Sequence, residues 1–225
     1  MGCFVVLEGG EGAGKTTQWE RMAARLTAAG HDVVALREPG GTPTGDVLRQ
    51  VLLDPRSSLT GNTEALLFAA SRAQLVYAVI APALARNAVV IVDRFLLSTY
   101  AYQGAGRGLP MSALRSINQF ATAGMAPHLT LLLTMPLDQA LARAAARGAA
   151  DRMEREEHAF HRRVQDAFLN ASRKEWQLQH PEIGVVETID ASGTPDDVTQ
   201  RCLAQLATRW PERFGALLAT ERAHG

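Results

Sequence analysis

Neither sign of charge dominates this chain: Lys plus Arg and Asp plus Glu stand at 23 each in 225 residues. A balanced total offers no net field to draw in nucleic acid or an acidic membrane surface, although it leaves room for a local cluster of arginines. Cysteine is scarce. Cys3 and Cys202 lie far apart without metal-like spacing, which argues against a disulfide framework or a zinc site and leaves two ordinary reduced thiols. No uninterrupted apolar run approaches the roughly eighteen residues that span a bilayer. The opening MGCFVVLEGG has no basic leader and reaches a glycine-rich turn too early for a signal peptide. Gly2 and Cys3 do not make a lipidation signal, because Val6 stands where the myristoylation pattern needs Ser or Thr. Internal repeats, low-complexity tracts and convincing linkers are also missing. These absences lead to the expectation of a cytoplasmic protein with no membrane and no nucleic-acid partner.

What is present suits a packed core, with 47% apolar and 20% charged residues. Continuous apolar runs at 4–7, 88–92 and 129–134 read as parallel strands buried on both faces, with weaker candidates at 33–36 and 185–189. Helical spacing fills 15–29, 44–53, 62–86, 112–123, 137–147, 156–179 and 195–208. Asn62 and Ser112 are the expected N-caps of their helices, and Pro82 should kink or shorten the helix it falls in. Strands alternating with helices predict one α/β domain over residues 1–225, a parallel five-stranded sheet flanked by helices in three layers. The Gly- and Arg-rich segments 103–110 and 147–155 read as active-site loops.

Gly9-Gly10-Glu11-Gly12-Ala13-Gly14-Lys15-Thr16 fits G-x-x-x-x-G-K-[ST] without a mismatch, and it lies between a strand and a helix as that motif requires. Glycines let successive N–H groups converge on phosphate oxygens, and the helix N-terminus adds its positive dipole end. Residues 9–17, through Thr17, are therefore the expected nucleotide cradle of a P-loop NTPase fold, with Lys15 on the β- and γ-phosphates and the Thr16 hydroxyl on Mg2+. The apolar run 88–92 ends on Asp93, which reads as a turn cap or, beside a P-loop, as a second Mg2+ contact. ATP or GTP fits such a loop, but no Asn-Lys-x-Asp guanine-reading element occurs, and the chain is short for a motor. A small kinase is the favoured class; a nucleotide switch without rapid transfer is the rival.

Longer blocks narrow the acceptor. Glu8-Gly9-x-Glu11-Gly12-x-Gly14-Lys15-Thr16-Thr17, Arg37-Glu38-Pro39-Gly40-Gly41-Thr42, Asp93-Arg94…Ser98…Ala101-Tyr102-Gln103-Gly104, Gly106-Arg107-Gly108 and Asp151-Arg152-x-Glu154 occur in this order. In these blocks the chain resembles the bacterial thymidylate kinases. The resemblance implies an ATP- and Mg2+-dependent enzyme, typically a homodimer, that phosphorylates thymidine monophosphate (dTMP). Phe68 and Arg72, four apart on one helix face, read by themselves as core and solvated charge; the resemblance makes them the ring that stacks on thymine and the fork that bonds its carbonyl edge. It also implies Arg94 on the acceptor phosphate, Glu38 and Arg49 bordering it, Ser98, Thr99 and Gln103 lining the base pocket, and Tyr102 against the deoxyribose. Some members carry arginine where this chain has Gly12, so the transferring group needs a cation from elsewhere. The basic segment 143–155 resembles a lid, with Arg147 and Arg152 the expected catalytic arginines closing over ATP and Arg143 and Arg155 as further candidates. Phe95 replaces the Tyr or His usual after Asp-Arg. Another nucleoside monophosphate, or a nucleoside, stays open as acceptor.

Overall fold

Apolar side chains on both faces of a strand require a covering layer on both faces, and the sheet meets that requirement. A computed structural model describes residues 2–146 and 151–218. Its chain order is β1 (Cys3–Glu8), α1 (Lys15–Ala28), β2 (Val33–Arg37), α2 (Pro43–Leu53), α3 (Gly61–Leu75), α4 (Ala81–Ala85), β3 (Val89–Asp93) and α5 (Leu96–Thr99). There follow α6 (Met111–Thr122), β4 (Leu129–Thr134), α7 (Leu137–Ala145), α8 (His158–Ala171), α9 (Lys174–Gln179), β5 (Val185–Asp190), α10 (Pro195–Arg209) and α11 (Pro211–Phe214). The five strands run parallel in the order β2-β3-β1-β4-β5. Along β1, Phe4 and Val6 face a core shared with Ile80, Phe95 and Leu97, while Cys3, Val5 and Leu7 face Met22, Leu26 and Leu203 from α1 and α10. Two cores on one sheet give the expected three layers, and each large side chain so buried contributes roughly 1.5–3 kcal/mol.

Leu7 pairs with Asp93 and Arg37 also pairs with Asp93, so the carboxyl ends of β1, β2 and β3 finish side by side. That edge carries the site.

Four helical regions differ from the sequence expectation. The run 156–179 is two helices: Ser172 turns its hydroxyl back to the Leu169 carbonyl at 2.7 Å, and Arg173 is extended (φ −78°, ψ 136°) at the start of α9. Residues 96–106 are helical, α5 continuing into a π-helical turn at Tyr100–Gly106, where 103–110 had read as loop. Leu96, Leu97, Thr99, Tyr100, Tyr102 and Gln103 are all buried, so this stretch has no apolar stripe to betray a 3.6-residue period. The helix entered at α3 is capped by Thr60, whose hydroxyl accepts from the Thr63 amide, not by Asn62; α6 starts after Pro110 without a side-chain cap, not at Ser112.

A π-helical turn at Val76–Ile80 joins α3 to α4 just before Pro82, which lacks the N–H that the preceding turn would need. Gly61–Ala85 is thereby one 25-residue helical run with a mean hydropathy of 1.5 in its most apolar window, long enough to cross a membrane by length and composition alone. Its charged residues, Glu64 and Arg72, are buried in ion pairs with other elements, so the run is accounted for as a wall of the site.

Candidate active site

The phosphate loop is built by exclusion of side chains. Gly12 has φ +72°, and a Cβ there would lie 1.8 Å from the Ala140 carbonyl oxygen of α7. That contact accounts for glycine at this position and rules out an arginine with α7 where it stands. Gly14, left-handed at φ 88°, precedes α1 and supplies no side-chain cap, so no side chain takes the first-turn amides an anion would use. Lys15 is buried and donates Nζ to the Gly10 carbonyl at 2.7 Å, folding across the loop it belongs to. Burial, and then the Arg94 charge, bring its pKa down to about 8. Thr16 donates its hydroxyl to Asp93 Oδ2 at 2.9 Å, bringing the two expected metal contacts together across β1 and β3.

Arg94 follows Asp93 in a left-handed conformation, φ +71°, which turns its side chain back over the loop. Its guanidinium donates to the Gly9 carbonyl (3.0 Å), Ser98 Oγ (3.1 Å), Glu11 Oε1 (2.5 Å) and the Tyr102 hydroxyl (3.0 Å), with the Tyr102 ring centroid 4.9 Å away. Burial opposes this cation, but the charges of Glu11, Asp93 and Glu8 outweigh it and hold the group firmly protonated. Behind it, fully buried Glu8 accepts from the Phe95 and Ser98 amides (2.8 and 3.0 Å) and from the Ser98 hydroxyl (2.6 Å), which fixes the turn after β3. Glu8 stood in the quoted blocks, but nothing in a strand-end glutamate announces that clasp.

The far wall is α3. Phe68 and Arg72 both line the cleft, as their spacing requires. Arg72 is 2% exposed, against expectation for a solvated charge: Nε lies 2.7 Å from Glu38 Oε1, Nη1 donates to Thr99 Oγ1 (2.9 Å) and Asn118 Oδ1 (2.5 Å), and Nη2 to the Phe95 carbonyl (3.2 Å). Burial raises the Glu38 carboxyl to about 7 despite its arginine. Asn118 was missed, since one amide on an amphipathic helix carries no motif. Arg49 donates to the Pro39 carbonyl at 2.9 Å and lines the same cleft, as do Thr16 and Trp19, whereas Thr17 is exposed and does not line it. Trp19, Arg37 and Met153 are further lining residues to which the sequence assigned no role.

The expected lid arginines part company. Arg147 lies outside the described residues. Arg152, expected over ATP, instead pairs with Glu64 Oε2 (2.7 Å) and donates Nε to the Leu52 carbonyl (2.7 Å), on the side of α2 and α3. A carboxylate buried as deeply as Glu64 needs cations, and Arg152 is drawn to it. Arg143 donates to the Ala191 carbonyl after β5 at 3.3 Å.

One cleft of about 330 Å³ runs from Thr16, Lys15 and Asp93 to Phe68, Arg72 and Gln103, and neither Arg143 nor Arg152 lines it. Residues 7–188 match the family model described as Thymidylate kinase. The chain belongs to the thymidylate kinase family. It is 47% identical over 209 residues to a thymidylate kinase of Deinococcus radiodurans, covering 93% of this chain and 98% of that one. It is 52% identical over 169 residues to one of Pseudomonas fluorescens, 75% and 80% of the two chains, and 44% identical over 208 residues to one of Syntrophotalea carbinolica, 89% and 93%. The thymidylate kinase match spans every residue lining the cleft and ends before α10.

Proposed function

We propose that this protein transfers the γ-phosphoryl group of ATP to the 5′-phosphate of dTMP, giving ADP and thymidine diphosphate for deoxynucleotide synthesis. One observation carries the reading. A single cleft joins the phosphate loop to a planar ring and a planar donor fork, and Arg94 is bonded to both the loop carbonyl of Gly9 and the Tyr102 hydroxyl.

The acceptor phosphate is already an anionic nucleophile, so positioning and charge neutralisation are what the chain must supply. Lys15 and the loop amides hold the donor phosphates, and Arg94 holds the acceptor phosphate in line with them. Phe68 stacks on the pyrimidine, while Arg72, with Ser98, Thr99 and Gln103 near it, reads its polar edge. Tyr102 lies where a ribose 2′-hydroxyl would need room. Glu38 and Arg49 border the acceptor phosphate. Gly12 brings no charge, so the cation facing the transferring group comes from the 143–155 segment, with Arg147 the first candidate and Arg152 withdrawn from that role.

Mg2+ fits the residues present. Asp93 Oδ1 is buried with no hydrogen-bond partner and Oδ2 holds the Thr16 hydroxyl, an all-oxygen donor set suited to a hard cation. When bound, the ion supplies charge neutralisation at the donor phosphates. Exposed Val47, Leu66 and Tyr77, on α2, α3 and the turn after it, support a homodimer through that face, to be checked by sedimentation.

The test is turnover of the purified protein with dTMP, dUMP, UMP, CMP, AMP and thymidine as acceptors. A clear preference for dTMP is expected. ATP binding with no diphosphate product from any acceptor would replace the reading with a nucleotide switch.

A further inference from the structure

Glu64 precedes Phe68 by four residues and Arg72 by eight, so it continues the cleft-facing row of α3 by one more turn. Its side chain is 1% exposed. A buried carboxylate is costly unless each oxygen is satisfied, and here both are, by donors from two other segments. Oε1 accepts from Gln103 Nε2 at 2.8 Å and Arg107 Nε at 3.2 Å. Oε2 accepts from Arg107 Nη2 at 3.0 Å and lies 2.7 Å from Arg152 Nη1. Burial pushes this carboxyl up, but the bonds from Arg107, Gln103 and Arg152 outweigh it, so the group stays ionised.

Two consequences follow from an ionised carboxylate being an acceptor only. First, it fixes which half of the Gln103 amide faces it: the NH2 group is committed to Glu64, and the carbonyl oxygen is the half left to receive a donor. Second, it anchors the 151–156 segment. Arg152 also donates to the Leu52 carbonyl through Nε and to the Leu53 carbonyl through its backbone amide (2.7 and 3.2 Å), and Arg107 pairs with Glu156 at 2.6 Å. Asp151, Met153 and Glu154 of that segment form one side of the acceptor cleft.

We infer that Glu64 is a positioning residue for the acceptor, setting the Gln103 amide at the base edge and holding the 151–156 segment in place as a wall of the base pocket. The inference rests on the reading of the cleft as a dTMP kinase site. The partners of Glu64 are Gln103, Arg107 and Arg152, none of them in the phosphate loop, so its effect falls on acceptor affinity and much less on the transfer step.

Steady-state kinetics of Glu64→Gln, Arg152→Met and the double variant test this against wild type. In each single variant the KM for dTMP should rise about 10- to 100-fold, the range for a lost hydrogen bond to a charged group, with the KM for ATP within about twofold and kcat falling much less. The double variant should resemble Glu64→Gln, because Arg152→Met removes only the segment anchor that Glu64→Gln already weakens, while Glu64→Gln also frees the Gln103 amide. If Glu64→Gln does not fold, Arg152→Met tests the anchoring of the 151–156 segment by the same KM readout, and Gln103→Leu tests the amide. A lowered Tm with an unchanged dTMP KM would mean a structural role only and overturn the inference. No dTMP turnover by wild type would overturn the functional reading and this inference with it, whereas normal wild-type turnover with unaltered variants overturns the inference alone.

Discussion

The two ends of the cleft are made of different material. At the phosphate end backbone amides would face a ligand alongside Lys15 and Arg94, open to it because Gly12 and Gly14 adopt left-handed conformations and carry no side chain. At the base end the wall is made of buried charges locked to one another, Arg72 with Glu38, Thr99 and Asn118, and Glu64 with Gln103, Arg107 and Arg152. The first arrangement ties binding only lightly to stability, since glycine sets the left-handed turns of the loop and Lys15 adds a single bond across it to the Gly10 carbonyl. The second fuses them. Arg72, proposed to read the base at that end, also neutralises buried Glu38, so it cannot be removed without cost to the fold.

Removing Lys15 should show the separation most strongly. Lys15→Ala is expected to lower kcat by roughly 10²–10³-fold or more, with a Tm close to wild type by thermal melt. A collapse of Tm in that variant would break the contrast. Arg72→Ala should do both kinds of damage: the dTMP KM rises, and stability in urea falls by about 3–5 kcal/mol because Glu38 is left buried without its cation. Unchanged stability there would show that the base end is no more integrated than the loop. Gly12→Ala probes the loop's own geometry. The added Cβ meets the Ala140 carbonyl at 1.8 Å, and the left-handed backbone costs roughly another 1–2 kcal/mol, so both Tm and ATP affinity should drop. The smallest effect is pH dependence. Lys15 near 8 is charged below that pH, and a bound triphosphate favours the charged form, so ATP binding requires proton uptake above it. Calorimetric ATP affinity should therefore weaken as pH rises from 7 to 9, by less than about tenfold per unit, and Lys15→Ala should lose this dependence.

The same contrast decides what could be read before the structure. The phosphate loop was legible residue by residue because a backbone cradle demands glycine at fixed spacing, and Asp93 was legible because an apolar run ended on it. The three central strands, β1, β3 and β4, were placed within a residue or two for a related reason: burial on both faces forces unbroken apolar runs, whereas the part-exposed edge strands β2 and β5 gave weaker ones. The base end was legible only through resemblance. Phe68 and Arg72 by themselves read as core and surface, and the buried partner that makes Arg72 unusual, Glu38, is 34 residues away. Arg152 shows the limit most clearly. Its charge and its place in a basic segment pointed to ATP, but Glu64, buried on a helix far back in the chain, is what holds it. The helical stretch 96–106 was missed because burial on every side erases periodicity, and the break at Ser172 because one hydroxyl turned to a carbonyl leaves no pattern in composition.

The most direct test of phosphoryl transfer in this cleft is to give the protein γ-labelled ATP with dTMP and follow where the label goes, in wild type and in Lys15→Ala. The account predicts label in thymidine diphosphate from wild type, little inorganic phosphate while acceptor is present, and near-complete loss of labelled product in Lys15→Ala. Label released only as inorganic phosphate, or transfer that persists at the wild-type rate without Lys15, would contradict it.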